Sequence, residues 1–192
     1  MPNPFDIFRA WNTAEAERTA VRIPSACCLT TIGTDGFPNA RFVSLKSVQE
    51  ERLIITGPLD SRKGLEVAEN PKVALAFWWT ETERQVRIQG VAEPLPAERA
   101  KELFAPRNRA SKVVSTVFEQ GKPIGSFEEM DARFESAMEK LKHVDLEKPS
   151  AWSGFAVRPV RMEFMEFLPT RLHRRTLFQR EADDWEVSYL QP

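Results

Sequence analysis

The chain has 192 residues, of which 42% are hydrophobic and 29% are charged, as in an ordinary soluble globular protein. Its 27 Lys and Arg residues are balanced by 28 Asp and Glu residues, whereas a dedicated nucleic-acid binder usually carries a clear basic excess. No stretch is apolar enough to cross a bilayer, and the N-terminal MPNPFDIFRAW does not resemble a signal peptide. We therefore expect one domain, residues 1–192, in a cytoplasmic protein that binds neither nucleic acid nor a membrane.

The first part of the chain predicts one helix followed by five strands. Phe5, Phe8 and Trp11 recur at helical spacing and predict an N-terminal helix over about residues 3–20. Short segments rich in small, β-branched or alternating apolar residues then predict strands, which read SACCLTTIG, ARFVSLKSV, ERLIITG, KVALAFWW and RQVRIQGVAEPL. The run KVALAFWW is almost continuously apolar, which favours a strand buried on both faces.

The second part predicts a helical insertion and a return to strands. Two short helices separated near Pro106 and a longer helix from Phe127 to Leu141, capped by Ser126, predict an insertion over about residues 97–143. The C-terminal predicted strands read WSGFAVRPVRMEFMEFL, TRLHRRTLFQR and DWEVSYLQP. This order predicts an α+β fold, a mostly antiparallel sheet that closes into a small barrel with inserted helices.

Two cations occupy an unfavourable place in the segment LDSRKGLEVAENP, which predicts a short helix. Arg62 and Lys63 fall in its first turn, where the helix dipole is positive and each like charge costs about 0.3–1 kcal/mol. A bound anion would explain them, because helix N-termini bind phosphate groups. The alternative is that both side chains are solvated and simply bear this small cost.

Other cations lie on predicted strands and near helix starts. Arg41 and Lys46 belong to ARFVSLK and are five residues apart, so a bulge is needed before both can reach one ligand. Arg107 precedes Ser111 in a second candidate anion site. We find no catalytic carboxylate pair or Ser/His/Asp order, and two histidines without metal-ligand spacing predict no metal site. Such anion sites without a protein nucleophile suggest that a phosphorylated cofactor performs the chemistry.

At this point the sequence resembles the pyridoxamine 5′-phosphate oxidase family along nearly its whole length. The resemblance rests on motifs that occur in the family's order, namely ARFVSLK, SRKG followed by NP, ERQVRIQG, RNRAS, WSGF, RLHRR and the C-terminal LQP. It implies a split β-barrel that forms a homodimer and binds flavin mononucleotide (FMN) at the dimer interface. It also implies oxidation of pyridoxine or pyridoxamine 5′-phosphate to pyridoxal 5′-phosphate, with molecular oxygen as acceptor and hydrogen peroxide as product.

The resemblance also assigns site residues. Those expected to bind FMN are Arg41, Phe42, Val43, Ser44, Leu45, Lys46, Arg62, Lys63, Gln85, Gln120, Met165 and Arg175. Those expected to bind the phosphorylated substrate are Lys46, Arg107, Ser111, Arg171 and His173. Of these, Arg171 and His173 are the predicted catalytic residues. If TRLHRRTLFQR is a regular strand, residues 171, 173 and 175 share one face and Arg174 points to the other.

Some positions depart from the family pattern. Leu103 replaces a phosphate-binding tyrosine, Met165 replaces a tryptophan beside the flavin, and the chain starts after the family's N-terminal substrate-covering segment. These departures keep two alternatives open. One is a sister FMN-dependent oxidase acting on another small substrate, as in the phenazine branch of the family, and the other is a non-catalytic flavin-binding protein.

Overall fold

The computed structural model describes residues 3–182 and 184–192. In these two ranges the chain forms five helices and eight strands, and no helix there is long and apolar enough to span a membrane. In chain order the elements are α1 (Pro4–Ala16), β1 (Ala26–Ile32), β2 (Pro38–Gln49), β3 (Arg52–Pro58), α2 (Arg62–Glu69), β4 (Lys72–Trp79), β5 (Arg84–Pro94), α3 (Ala97–Phe104), α4 (Arg109–Val117), α5 (Phe127–Lys140), β6 (Trp152–Glu166), β7 (Arg174–Glu181) and β8 (Asp184–Leu190).

Six strands close into an antiparallel barrel. They are hydrogen-bonded in the order β3-β2-β1-β4-β5-β6, and β3 also pairs with β6, which closes the ring. Strands β7 and β8 extend the sheet beyond β6. The predicted fold class, a mostly antiparallel split barrel with inserted helices, is confirmed.

The barrel wall has one face toward the core and one face outward, so buried and exposed side chains alternate along its strands. In β4 the residues Leu75, Phe77 and Trp79 are buried, whereas Trp78 is 56% exposed. The prediction that this strand is buried on both faces is therefore wrong. An apolar run in a barrel strand fills the core with only every second side chain, and the other side chains lie on the outer surface.

Helix α1 packs on the barrel core. The side chain of Asn3 caps the helix by accepting a hydrogen bond from the Phe5 amide. Phe8 then packs edge-on against Phe77, with ring centroids 5.1 Å apart. At the other end the buried carboxylate of Glu15 accepts hydrogen bonds from the backbone amides of residues 81 and 82. The helix is therefore held on the barrel by Phe8 in its middle and by Glu15 at its C-terminal end.

The helices α3, α4 and α5 lie between β5 and β6 and fall within the predicted insertion. Ser126 caps α5 by accepting a hydrogen bond from the Glu129 amide. Phe127 is 76% exposed, so the apolar stripe begins later than predicted, and Phe134 and Met138 contact the cluster around Ala137. The insertion carries the Arg107 segment back toward β2 and β3, where a cleft forms.

Candidate active site

A cleft of about 360 Å³ lies where the second and third barrel strands face α2 and the helical insertion. It is both basic and aromatic, a combination suited to a planar ligand with an anionic group. Its lining comprises Phe42, Val43, Ser44, Lys46, Thr56, Gly57, Pro58, Lys63, Arg107, Val114, Ser115, Phe118, Gln120 and Trp152.

A β-bulge lies at Lys46, which lines the cleft. The register between β2 and β3 shifts between Leu45 and Ser47, so Lys46 is the extra residue on the bulged strand. Leu45 is buried in the barrel core, while Phe42 and Lys46 both line the cleft. A bulge of the kind expected between Arg41 and Lys46 is therefore present, but of these two cations only Lys46 is among the described residues that line the cleft.

Close backbone packing positions Lys63 in the first turn of α2. A Cβ atom at Gly64 would lie 2.1 Å from the carbonyl oxygen of Leu59, so only glycine lets the helix start so near the preceding loop. Lys63 is buried, and its ammonium donates hydrogen bonds to the side chains of Ser61, at 3.0 Å, and Gln120. Both acceptors are neutral, so these contacts leave the charge without a counterion.

Electrostatics at Lys63 favour an incoming anion. Burial, and then the nearby charge of Arg41, lower the pKa of the Lys63 ammonium from 10.5 to about 8, against the opposing effect of Asp60. The charged form is therefore costly in the ligand-free protein. A bound phosphate would reverse this effect, because an opposite charge at short range favours the protonated amine.

Arg107 forms the opposite wall of the cleft. Its guanidinium lies over the Trp152 ring, 4.9 Å from the centroid, and donates to the Ser111 carbonyl oxygen and the Ser115 hydroxyl. Its Nε atom is buried and has no hydrogen-bond partner among the described residues, and burial lowers the pKa of the group. The stacking fixes the plane of the guanidinium, which suits it to grip an oxyanion.

Arg41 and Arg62 lie beside the cleft and share one buried carboxylate. Glu66 accepts a hydrogen bond from Arg41 at 2.8 Å and one from Arg62 at 2.9 Å. The sequence-based prediction did not include Glu66. The one signal available was its spacing four residues after Arg62 on a helix, which is common on solvated helix surfaces.

A second group of predicted residues forms a row across three neighbouring strands. Gln85 on β5 pairs in register with Met165 on β6, and Met165 pairs in register with Arg175 on β7. Arg175 is anchored by Glu163, whose Oε1 accepts from Nε at 2.9 Å and lies 2.8 Å from Nη2. Among the described residues that line the cleft, none belongs to this row.

Arg171 and His173 precede β7 rather than belonging to it. Arg171 has φ 65° and closes a turn through its amide, which donates to the Leu168 carbonyl oxygen. The Leu168 amide donates to Nδ1 of His173, whose ring lies 4.9 Å from that of Phe167. The prediction that residues 171, 173 and 175 share one face of a regular strand is therefore wrong, because alternation starts only at Arg174.

The structure thus gathers the predicted site residues into two groups. The cleft holds Phe42, Val43, Ser44, Lys46, Lys63, Arg107 and Gln120. Ser111 lies beside it through its contact with Arg107, and Leu103 packs against the buried cluster of Ile54, Leu95 and Ala156. The cleft residues Ser115, Phe118 and Trp152 were not predicted. In the sequence, nothing distinguishes these hydroxyl and aromatic residues from those that pack in ordinary helices and strands.

Family comparisons bear on both groups. Residues 13–140 match the family model described as pyridoxamine 5′-phosphate oxidase, and residues 152–192 match the model of the pyridoxine 5′-phosphate oxidase C-terminal dimerisation region. The chain belongs to the pyridoxamine 5′-phosphate oxidase family. Met165, Arg171, His173 and Arg175 all fall within the part that matches the dimerisation region.

Similar proteins support this membership over the full length. A pyridoxine/pyridoxamine 5′-phosphate oxidase from Gluconobacter oxydans (strain 621H) is 36% identical, over 99% of this chain and 94% of that protein. One from Sphingopyxis alaskensis (strain DSM 13593 / LMG 18877 / RB2256) is 38% identical, over 99% of this chain and 88% of its own length.

A solved structure is also similar in fold and sequence. PhzG from Burkholderia lata 383, in complex with tetrahydrophenazine-1-carboxylic acid, superposes with a TM-score of 0.91 and 29% identity, covering 99% of this chain and 93% of that one. A pyridoxamine 5′-phosphate oxidase-related, FMN-binding protein from Nostoc punctiforme PCC 73102 has a TM-score of 0.80 at 16% identity, covers 96% of this chain and 97% of that one, and supports the fold.

Proposed function

We propose that this protein is an FMN-dependent oxidase that converts pyridoxine or pyridoxamine 5′-phosphate to pyridoxal 5′-phosphate, reducing oxygen to hydrogen peroxide. The observation that carries the proposal is the set of three cations in one cleft. In the described part of the chain, Lys46, Lys63 and Arg107 form no ion pair with a carboxylate. Lys63 is buried, Arg107 is half-buried and Lys46 is exposed. Cations without acidic partners are suited to ligands that bring their own phosphates.

The cleft fits the FMN phosphate at its α2 end. Lys63 would bind that phosphate directly, at a helix N-terminus whose dipole also favours an anion. Gly57 leaves the space that the Lys63 side chain occupies, since a Cβ atom there would lie 3.0 Å from Nζ. When bound, FMN supplies the two-electron chemistry that accepts a hydride from the substrate and passes the electrons to oxygen.

The substrate phosphate would bind at the other end of the cleft. Lys46 projects from the bulge and Arg107 from the opposite wall, so the two cations can hold one phosphate between them. Ser111 would add a donor at the same end, as its contact with Arg107 allows. This arrangement orients the reacting carbon toward the flavin and leaves little freedom to the substrate.

We propose that a homodimer completes the site. The row Gln85, Met165 and Arg175, together with Arg171 and His173, lies outside the cleft of its own chain but largely inside the matched dimerisation region. A two-fold interface would place this row of one chain against the cleft of its partner. The row would then contact the flavin ring, while Arg171 and His173 would face the substrate.

Subunit complementation tests this proposal. Lys63→Met damages the cleft and Arg175→Ala damages the row, so each variant alone should produce little peroxide with pyridoxine 5′-phosphate. Co-expression of the two variants with different affinity tags gives hybrid dimers, and one of the two sites in each hybrid is intact. Random pairing makes about half of the dimers hybrids, so about a quarter of all sites should be active. Hybrid dimers without activity would contradict the shared site. Unmodified protein that yields no peroxide with this substrate would contradict the proposed reaction.

A sister oxidase activity is the second candidate. It is favoured by the high structural similarity to PhzG, which was solved with a phenazine-type carboxylic acid. It is also favoured by Leu103, which packs in an apolar cluster and offers no hydrogen-bond donor to a substrate phosphate. Oxygen uptake with pyridoxine 5′-phosphate, compared with unphosphorylated pyridoxine and with aromatic carboxylic acids, distinguishes the two activities.

A further inference from the structure

Glu66 is a buried carboxylate at the junction of three elements. It lies on α2, is 2% exposed, and reaches toward β1 and β2. Its Oε2 accepts from Thr31 at 2.5 Å and from Arg41 at 2.8 Å. Its Oε1 accepts from Asn39 at 2.5 Å and from Arg62 at 2.9 Å. Each oxygen therefore accepts two hydrogen bonds, so the carboxylate has essentially one orientation.

This arrangement fixes two arginines that would otherwise repel each other and Lys63. Arg41 is also tied to Thr31 by a short hydrogen bond from its second terminal nitrogen. Although burial alone would raise the pKa of Glu66, hydrogen bonds from Thr31, Arg62 and Arg41 hold it below its ordinary value. Glu66 is therefore charged at neutral pH and balances part of the local positive charge.

Glu66 compensates the positive charge of two cations but not that of the third. Glu66 pairs with Arg41 and Arg62 but not with Lys63, whose hydrogen-bond acceptors in the described part of the chain are neutral side chains. The carboxylate thus holds the outer two cations in place and leaves the buried ammonium free for a ligand. Arg62 has further support from Asp35 at 3.3 Å, whereas Arg41 has Glu66 as its one ion-pair partner among the described residues.

We propose that Glu66 is a positioning residue for the FMN phosphate, acting through Arg41 and Arg62. This inference rests on the proposed function, because it takes the cleft to be the FMN site. If the ion pairs of Glu66 only stabilised the fold, loss of Glu66 would weaken the binding of every flavin equally, with or without a phosphate. A positioning role predicts instead that the loss of Glu66 weakens recognition of the phosphate alone.

Riboflavin separates the two roles, because it has the flavin ring of FMN but no phosphate. Dissociation constants for FMN and riboflavin should be measured by quenching of flavin fluorescence on the unmodified protein and on Glu66→Gln. We expect the FMN constant to rise about tenfold or more, as for loss of a charge-assisted contact. The riboflavin constant should stay within about twofold, the usual scatter for independent sites.

Two further variants make the test decisive. Glu69→Gln removes an exposed carboxylate from the same helix and should leave both constants unchanged. Asn39→Ala removes one donor to Glu66 and should weaken FMN selectively, by a smaller factor. If circular dichroism shows that Glu66→Gln does not fold, Asn39→Ala decides the question alone.

The outcomes separate the inference from the proposed function. If the unmodified protein binds FMN no better than riboflavin, the assigned phosphate site is wrong and the inference falls with it. If the unmodified protein prefers FMN but Glu66→Gln keeps that preference, the inference alone is overturned. Equal weakening of FMN and riboflavin in a folded variant would also overturn it, because it would show a structural role.

Discussion

The ammonium of Lys63 occupies the space that a side chain on Gly57 would need. A Cβ atom at Gly57 would stand 2.8 Å from Cε and 3.0 Å from Nζ of Lys63. The missing side chain on β3 therefore allows the cation on α2 to enter the cleft. The position of a cation in the proposed phosphate site thus depends on a glycine in a neighbouring strand.

We expect Gly57→Ala to weaken FMN binding with little loss of stability. The added methyl meets only the flexible end of Lys63, so the lysine can move away at low cost, and the free energy of unfolding should change by less than about 1 kcal/mol. The moved ammonium no longer meets the phosphate, so the FMN dissociation constant should rise severalfold. Urea denaturation and flavin fluorescence measure the two effects.

A double variant is the control for this mechanism. In a Lys63→Met background the ammonium is already absent, so adding Gly57→Ala should leave FMN affinity unchanged. This non-additivity is the signature of a shared interaction. Additive losses would show that Gly57 acts on the flavin by another route.

FMN affinity should depend on pH through Lys63. Its pKa of about 8 in the ligand-free protein means that the ammonium is protonated below that pH and neutral above it. Binding a phosphate favours the protonated form, so affinity should fall above about pH 8, by up to about tenfold per pH unit. The fluorescence titration should be repeated from pH 6.5 to 9.5, where the phosphate group, with a pKa near 6, is mostly dianionic.

Lys63 should also make the stability of the flavin-free protein depend on pH, with stability rising as the pH rises. The unfolded chain keeps the Lys63 proton up to a pKa near 10.5, whereas the flavin-free folded protein releases it near 8. Between these values the unfolded state holds more protons, so the contribution of Lys63 to the free energy of unfolding rises with pH. The difference between the unmodified protein and Lys63→Met, followed by urea denaturation without flavin, measures this rise. A pH-independent difference would contradict the assigned environment of Lys63.

The sequence was a good guide to the fold and to part of the site. Helical spacing in α1 and alternation in β5 identified elements whose one face packs on the core. The sequence also indicated that Arg41 and Lys46 could share one ligand only through a bulge, and a bulge is present at Lys46, although Arg41 does not line the cleft. These features depend on the spacing of residue types within one helix or strand, and that spacing can be read from a single sequence.

Other features depend on contacts between distant segments, and local pattern does not record them. Glu66 resembles any glutamate on a helix surface until β1 and β2 place Thr31 and Asn39 against it. The sequence pattern predicts a strand at Arg171, but in the structure Arg171 closes a turn with Leu168 and has a positive φ, so the strand begins only at Arg174. The outward position of Trp78 likewise follows from barrel closure rather than from composition.

Arg175 and Arg174 should differ sharply when each is replaced by Ala. Arg175 is hydrogen-bonded to the buried Glu163 and to the Gln191 carbonyl oxygen, so its loss should lower the free energy of unfolding by about 1–3 kcal/mol. It should also reduce FMN retention, because the row on β5, β6 and β7 loses its cation. Arg174 is exposed, and its removal should change stability by less than about 0.5 kcal/mol. Urea denaturation and flavin absorbance after gel filtration compare the two, and equal effects would contradict the distinction.

Arg107→Lys should impair the substrate more than the cofactor. Lysine keeps the charge but loses the planar guanidinium that stacks on Trp152 and bonds Ser111 and Ser115, so it cannot hold a phosphate in the same orientation. We expect the KM for pyridoxine 5′-phosphate to rise about tenfold, the effect of about 1.4 kcal/mol of lost binding, while FMN affinity stays unchanged. Lys112→Met, on the adjacent helix α4 but not among the residues that line the cleft, is the matched control and should leave both quantities unchanged. Lys63→Met should show the reverse pattern, with a larger loss of FMN affinity than of substrate affinity. Flavin fluorescence measures the FMN affinity, and steady-state peroxide assays at saturating FMN measure the KM for the substrate. If Arg107→Lys lost FMN and substrate together, the two phosphates would not occupy opposite ends, and the division of the cleft proposed above would be wrong.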